Sequence, residues 1–449
     1  MLYQLSYIGI SEDSLFQATR LKNQNPIAPF ISLPGTALRR NGRMPVVSTP
    51  QSATLNDTMS QTLRRFSRSA LRLIVFLAAA AVAMLSAMHP PAALAQEKVI
   101  IAYVFPRDRA LAPDEINVRK LTRINYAFAN IKDGEIIEGF SHDAENFVIL
   151  NALKKDNPSL KILVSVGGWT WSGNFSDASL TRQSRSRFIA SAVRFVDRYH
   201  LDGLDIDWEY PNQVGNGNKF RPEDKHNFTL LLAELRQRFD SEQKRLGRRL
   251  YTSIATGASQ KFLDNTEMEK VQRYVDTINL MTYDFYVGGP TTGHDAPLFH
   301  NPADPKNVSA ERSVDLYLQA GVSQQKIVLG VPFYGRSWGE VQSTNNGLFQ
   351  PGKAAKGVHF SYPDLPNLLA TGFVRYWDET ASVPFLYNPQ SQVFITYEDP
   401  QSLARKCRYV RERHLGGVMF WEYSNDSTGI LLDAVHAGLQ PPPSTSGAN

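Results

Sequence analysis

Residues 202–209 read Asp-Gly-Leu-Asp-Ile-Asp-Trp-Glu, four acids in eight positions of an otherwise apolar run. Successive side chains of a strand point to opposite faces. As a strand, this run puts Asp205, Asp207 and Glu209 on one face and Leu204, Ile206 and Trp208 on the other. Asp202 falls out of register with the acidic face, which suits a structural role. Three carboxylates stacked on one side of a strand cannot all ionise cheaply at neutral pH. A neutral acid beside an ionised one is the arrangement on which two-carboxylate catalysis is built. Two plainer readings compete. A solvated acidic surface would not interleave its acids with Leu, Ile and Trp. A calcium loop needs oxygen ligands at alternate positions and a glycine at the sixth, but counting from Asp205 the sixth residue is Tyr210.

The acids need a scaffold, and the chain supplies strand-like runs separated by helical patterns. The strand candidates are Val99–Val104, Arg123–Ala129, Lys161–Val166, Leu201–Trp208, Tyr251–Ala255, Thr277–Tyr283, Lys326–Val331 and Gly417–Trp421. Between them run amphipathic stripes. One is Phe188, Ala192, Phe195, Val196 and Tyr199. A second is Phe228, Leu231, Leu232, Leu235 and Phe239, after Pro222. A third is Met268, Val271, Tyr274 and Val275. Such stripes are core packing. Eight alternating strands and helices over about 340 residues point to a (β/α)8 TIM barrel within residues 96–438. A doubly wound sheet is the runner-up, but it would carry a glycine-rich phosphate turn after its first strand. Tyr103-Val104-Phe105-Pro106 is no such turn. The interval from Val331 to Gly417 is too long for one helix. Phe373–Trp377, Phe385–Asn388 and Val393–Thr396 read as short strands there. This predicts a small α+β insertion, residues 337–392, between strand 7 and helix 7, with Pro400–Arg413 as that helix.

Upstream, Arg64, Arg65, Arg68 and Arg72 precede an apolar stretch from Leu73 to Met88, followed by Ala93-Leu94-Ala95. A basic region, an apolar stretch and a small-x-small site are the parts of a signal peptide, here residues 59–95 with cleavage before Gln96. A retained membrane anchor is the alternative, though the stretch is short for a span and Pro90-Pro91 follows it. Residues 1–58 read as a start-site artefact or a disordered leader. Residues 1–95 hold nine Lys or Arg and three Asp or Glu, +6, so the whole-chain +5 leaves −1 for residues 96–449. The basic balance belongs to the leader, and a nucleic-acid partner loses its support. Cys407, the single cysteine, lies at helical spacing with Leu403 and Val410 and reads as a buried apolar thiol. With no Cys pairs and few His, no structural zinc and no cofactor are expected. The Pro/Ser-rich residues 439–449 read as a tail or linker stub.

Barrel active sites sit at the carboxyl ends of the strands. Ser165-Val166-Gly167-Gly168-Trp169 closes the third strand and Met281-Thr282-Tyr283-Asp284 the sixth. Tyr334-Gly335-Arg336 follows the seventh, and Trp421-Glu422 closes the eighth. Gly167 and Gly168 remove side chains, as an approach for a bulky substrate or an ordinary tight turn would require. Trp169, Trp171, Tyr334 and Trp421 at strand mouths read either as core or as a stacking surface for sugar faces. Acids and aromatics together favour carbohydrate hydrolysis.

The run from Asp202 to Pro211 resembles the D-x-x-D-x-D-x-E signature of family 18 glycoside hydrolases. Ser165–Ser172 resembles the family's S-x-G-G motif, and Met281–Phe285 its sixth-strand motif. Gly330–Arg336 and Gly416–Glu422 resemble the seventh and eighth. The resemblance covers about residues 98–438, and the insertion matches the family's chitinase insertion domain, as in bacterial chitinases. It implies substrate-assisted catalysis. Glu209 would be the acid and then the base, and the substrate's 2-acetamido oxygen the nucleophile. Asp207 would orient the acetamide, Asp205 would share a proton with Asp207, and Tyr283 would hold the acetamide carbonyl. Trp421 would floor the sugar site, with Trp169 on the other side of the scissile bond. Asp284, Met281 and Arg336 would line the pocket, with Gly168 beside it and Tyr103 and Phe128 as wall residues. The expected partner is chitin or its oligosaccharides. The expected protein is a monomeric, secreted bacterial enzyme with no stable membrane association after cleavage. The alternatives are an endo-β-N-acetylglucosaminidase acting on glycoprotein or peptidoglycan, and a non-catalytic chitin-binding lectin.

Overall fold

The computed structural model describes residues 98–355 and 360–441. The barrel strands are β1 (Val99–Val104), β2 (Arg123–Lys132), β4 (Lys161–Gly167), β5 (Gly203–Asp207), β6 (Tyr251–Gly257), β7 (Thr277–Met281), β8 (Ile327–Pro332) and β15 (Gly417–Trp421). They pair in parallel in that order. β15 pairs with β1 and β1 with β2, which closes the barrel. A short strand β3 (Glu135–Ile137) adds antiparallel to β2. The fold is the expected (β/α)8 barrel. The signal-peptide and leader readings fall outside the described residues. No helix among the described residues is long and apolar enough to cross a membrane.

Strand faces divide by parity. Outward residues such as Ile124, Ile162, Val164, Leu204, Ile206 and Ile254 are buried against the helices. The helix Arg182–Arg198 starts at a capping box on Thr181 and buries Phe188, Ala192, Phe195 and Val196. The helix Asp224–Leu246 buries Phe228, Leu231, Leu232, Leu235 and Phe239 and stops at Gly247, whose φ of 67° is left-handed. Each of the Phe, Leu and Val side chains among these contributes roughly 1.5–3 kcal/mol when fully buried. The third stripe forms only a short helix, Met268–Val271, with a 3₁₀ turn after it. Its buried residues are still core. Cys407 is buried, and burial pushes its thiol up to about 12.

The insertion is a second sheet ordered β10-β9-β14-β13-β12, with β11 also on β9. Its strands are β9 (Tyr334–Gly339), β10 (Lys353–Ala354), β11 (Phe360–Ser361), β12 (Val374–Asp378), β13 (Val383–Asn388) and β14 (Val393–Thr396). The sheet reaches from Tyr334 to Thr396, past both bounds expected from sequence. The reason is that its first and last long strands pair with each other, Thr396 opposite Arg336. Alternation gives it two apolar faces. Trp338, Phe385, Tyr387 and Phe394 lie on one, Leu386 and Ile395 on the other. Tyr286, from the segment after β7, packs into the first face. A His294–Asp378 contact of 3.0 Å, buried on both sides, ties the same segment to β12.

Candidate active site

The acid row sits where strand parity put it. β5 ends at Asp207, and Glu209 lies two residues beyond. Asp205, Asp207 and Glu209 are 0%, 4% and 8% exposed. The parallel register sets Ser165 and Ser253 on either side of Asp205. Both donate to it, Ser165 Oγ to Oδ2 at 2.7 Å and Ser253 Oγ to Oδ1 at 2.6 Å. The Tyr103 hydroxyl donates to Oδ2 at 2.9 Å and Asn279 Nδ2 to Oδ1 at 3.2 Å. Asp207 has a buried Oδ1 with no hydrogen-bond partner. Asp202 lies below the row. It accepts from the Ile162 N–H at 2.8 Å and pairs with Lys154 at 2.7 Å, a structural role.

Burial raises all three carboxyls. It pushes Glu209 up to about 7, with the charge of Asp284 adding and the Tyr210 hydroxyl opposing. Asp207 is driven well above its ordinary value by burial first, then by Glu209 and Asp205. Asp205 is raised by burial, against the pull of Ser253, Ser165, Tyr103 and Arg123. Three acids so close carry fewer than three charges near neutrality, and they titrate as a group. Burial therefore favours the protonated form of Glu209 toward neutral pH.

The backbone here is fixed by Ser172. Its Oγ accepts from the Glu209 N–H at 2.8 Å and lies 2.8 Å from the Gly168 carbonyl and 3.0 Å from that of Asp207. Asn218 Nδ2 donates to the Glu209 carbonyl at 3.0 Å. The two glycines make room for neighbouring protein atoms. A Cβ on Gly167 (φ 105°) would lie 2.3 Å from the Asp207 carbonyl oxygen. One on Gly168 (φ 73°) would lie 2.6 Å from the Phe128 ring. The space freed at Gly168, expected beside the substrate, is filled by Phe128. Tyr103 also departs from expectation. It is 2% exposed and lies under the site as a partner of Asp205, not as a wall.

The rim is aromatic. Trp421 is half-buried and stacks on Phe128 with centroids 5.5 Å apart, and Tyr103 and Phe105 pack against it. Met281 and Tyr283 are half-buried against the same cluster. Trp169 is half-buried after β4. Trp171 packs on Phe140 at 4.9 Å. On the insertion side the Tyr334 hydroxyl donates to Asp284 Oδ1 at 2.8 Å, and Arg336 Nε to the same oxygen at 3.0 Å. The Asp284 N–H donates to Asp295 Oδ1 at 3.0 Å. Asp295 and Asn279 carry no motif signal. Asn279 was findable as an inward polar residue on β7, whereas Asp295 lies in a loop with no periodicity. The peptide bonds Ala127–Phe128, Glu209–Tyr210 and Trp421–Glu422, all at this end of the barrel, are cis.

One cavity of about 660 Å³ lies elsewhere, among Arg236, Arg248, Arg249, Arg273 and Lys326 at the amino-terminal ends of the strands. Its cations are already engaged by Asp240, Asp276, Asp202, Glu269 and backbone carbonyls. The acid row lies at the opposite end.

An acid row on barrel strand four, a buried acid of raised pKa and an aromatic rim define a glycoside hydrolase site. The profile of glycosyl hydrolases family 18 matches residues 99–426, and the chain belongs to that family. It is 36% identical over 420 residues to Chitinase A1 of Niallia circulans, covering 79% of this chain and 60% of that protein. The chain thus spans less than two thirds of that relative. Among solved structures it is similar to a family 18 N-acetylglucosaminidase from Paenibacillus barengoltzii. That match has 44% identity and a TM-score of 0.70, and covers 76% of this chain and all of that one. It is also similar to Chitinase ChiW from Paenibacillus sp. str. FPU-7. There the identity is 38% and the TM-score 0.73, covering 76% of this chain and 43% of that one.

Proposed function

We propose that the enzyme hydrolyses β-1,4-linked N-acetylglucosamine polymers of the chitin type, with retention, by attack of the substrate's own acetamide. The observation that carries this is the pairing of Glu209, a buried acid titrating at about 7, with the buried, unpartnered Oδ1 of Asp207. A buried acceptor left unpaired costs about 1–3 kcal/mol, and an acetamide N–H supplies the missing donor. Glu209 protonates the glycosidic oxygen. As the bond to the protonated leaving sugar breaks, the acetamide oxygen, oriented by Asp207, closes on the anomeric carbon to give an oxazolinium, whose charge the Asp205–Asp207 pair balances. Tyr283 holds the acetamide carbonyl. Glu209, now a carboxylate, takes a proton from the incoming water, which opens the ring with overall retention. Trp421 and Trp169 offer faces to sugars on either side of the bond, and Met281, Asp284 and Arg336 line the pocket.

A second reading is an endo-β-N-acetylglucosaminidase acting on glycoprotein or peptidoglycan; the likeness to a solved N-acetylglucosaminidase fits N-acetylglucosamine as the sugar in either case. We also infer export from the leader pattern before Gln96. One experiment tests both points, using protein recovered from culture medium. Its amino terminus should read Gln96, and it should release short N-acetylglucosamine oligomers from colloidal chitin in preference to glycoprotein or peptidoglycan. Protein retained in the membrane with Leu73–Met88 intact would overturn export. Release confined to glycoprotein or peptidoglycan would overturn the chitin assignment.

A further inference from the structure

Beneath the acid row the barrel lumen holds a fixed positive charge. Arg123 lies on the inner face of β2 and is 4% exposed. Its Nη1 donates to Thr277 Oγ1 at 2.8 Å. Thr277 Oγ1 donates in turn to Asn279 Oδ1 at 3.2 Å. Asn279 Nδ2 reaches the Tyr103 hydroxyl at 2.9 Å and Asp205 Oδ1 at 3.2 Å. The sense of this chain is not free. A guanidinium can only donate, so the Thr277 hydroxyl accepts from it and gives its own proton onward. Asn279 then receives that proton on its carbonyl and presents its NH₂ to Asp205. With a neutral, reversible group at position 123, the Thr277 hydroxyl could turn and the Asn279 amide could flip, offering Asp205 an oxygen.

We propose that Arg123 is a positioning residue for the reaction proposed above, acting through Thr277 and Asn279 to keep negative charge on Asp205 and the shared proton on Asp207. The inference rests on that functional reading. The charged surroundings agree with it. The guanidinium lies over the Tyr251 ring at 5.8 Å, a ring that Lys161 and Arg249 also approach at 6.0 and 5.0 Å. Burial lowers its proton affinity, while Asp276 and Asp205 hold it charged. Asp276 is shared with Arg249 and Arg236. Asp205 is therefore the acid toward which Arg123 is relayed by hydrogen bonds. Asp205 is faced in addition by Tyr103 and by Asp207, which adjoins Glu209, and the charge of Arg123 favours its ionised form. A charge on Asp205 leaves the proton on the member of the pair beside Glu209.

The sign of the effect follows. Without the charge of Arg123 the Asp205–Asp207 pair binds its second proton at a higher pH. A doubly protonated pair has no charge to balance an oxazolinium, so the acidic limb of kcat/KM moves toward neutral pH. The alkaline limb belongs to Glu209, beside Asp284, and stays nearer its place. The test is the pH profile of kcat/KM on a soluble N-acetylglucosamine tetramer for wild type, Arg123→Met, Arg123→Lys and Thr277→Val. Arg123→Met should raise the acidic limb by about half a pH unit or more. Thr277→Val should shift it the same way by less, and Arg123→Lys should return it toward wild type. If Arg123→Met does not fold, as judged by its circular dichroism, the other two variants decide. A uniform loss of rate with both limbs unmoved in Thr277→Val, and in Arg123→Met where it folds, would overturn the proposal and leave Arg123 structural. A wild type without turnover on the tetramer would instead overturn the functional reading.

Discussion

Glu209→Gln should fold, bind chitin oligomers as tightly as wild type, and lose about 10²–10⁴-fold in kcat, the usual contribution of a general acid. The amide preserves the shape of the side chain. It also leaves the Glu209 N–H on Ser172 and the Glu209 carbonyl under Asn218. Only the transferable proton is gone. The wild type should show the corresponding titration. On the proposed mechanism Glu209 acts first in its protonated form, and burial holds that form up to about 7. Activity should therefore fall as pH rises through the neutral range, and the variant's residual rate should lack that limb. Near-normal turnover in Glu209→Gln would remove this residue from the acid role.

Asp207→Ala should cost roughly 10²–10³-fold in kcat, the range for removing one preorganised electrostatic stabiliser. The loss should appear in kcat more than in KM, since the charge that the Asp205–Asp207 pair meets develops in the transition state, as the acetamide attacks. Folding should survive. Asp207 makes no side-chain hydrogen bond through its buried Oδ1, and removing it relieves crowding with Glu209 and Asp205. Steady-state kinetics on a soluble oligomer provide the check. A variant with full kcat would show that Asp207 neither orients the acetamide nor balances its charge.

Much of this site was readable before any fold was known, because strand parity is a strict rule. Asp205, Asp207 and Glu209 were assigned to one face and Asp202 was read as out of register with it, and the barrel places them so. Val99–Val104 and Gly417–Trp421 were read with their observed ends, since apolar runs and the breaks beside them bound both strands. Thr277–Tyr283 was read too long. Met281 is the last residue in the ladder, and Tyr283 and Asp284 already belong to the turn that carries them to the insertion. What stayed hidden were relations between distant residues. Nothing local marks Ser253 as the neighbour of Asp205, nor Asp295 as the partner of Asp284. Those contacts come from barrel register and from a loop fold. The glycines were visible, but not their purpose. Only the closed barrel shows that Gly168 yields its space to Phe128. The same limit applies to the insertion. Its two-residue strands β10 and β11 have no pattern of their own and exist through pairing with β9.

The central claim is that the nucleophile belongs to the substrate. Its most direct test is the cleavage of defined oligomers in which single units are deacetylated. The bond following an N-acetylated unit should be cut, and the bond following a glucosamine unit should stay intact, because the attacking oxygen is then missing. Glu209 and Asp207 are the same in both cases, so only the acetamide distinguishes them. Equal cleavage of the two bonds would contradict the account even with Glu209 essential. It would return the site to a two-carboxylate scheme in which Asp207 or Asp205 attacks the sugar directly.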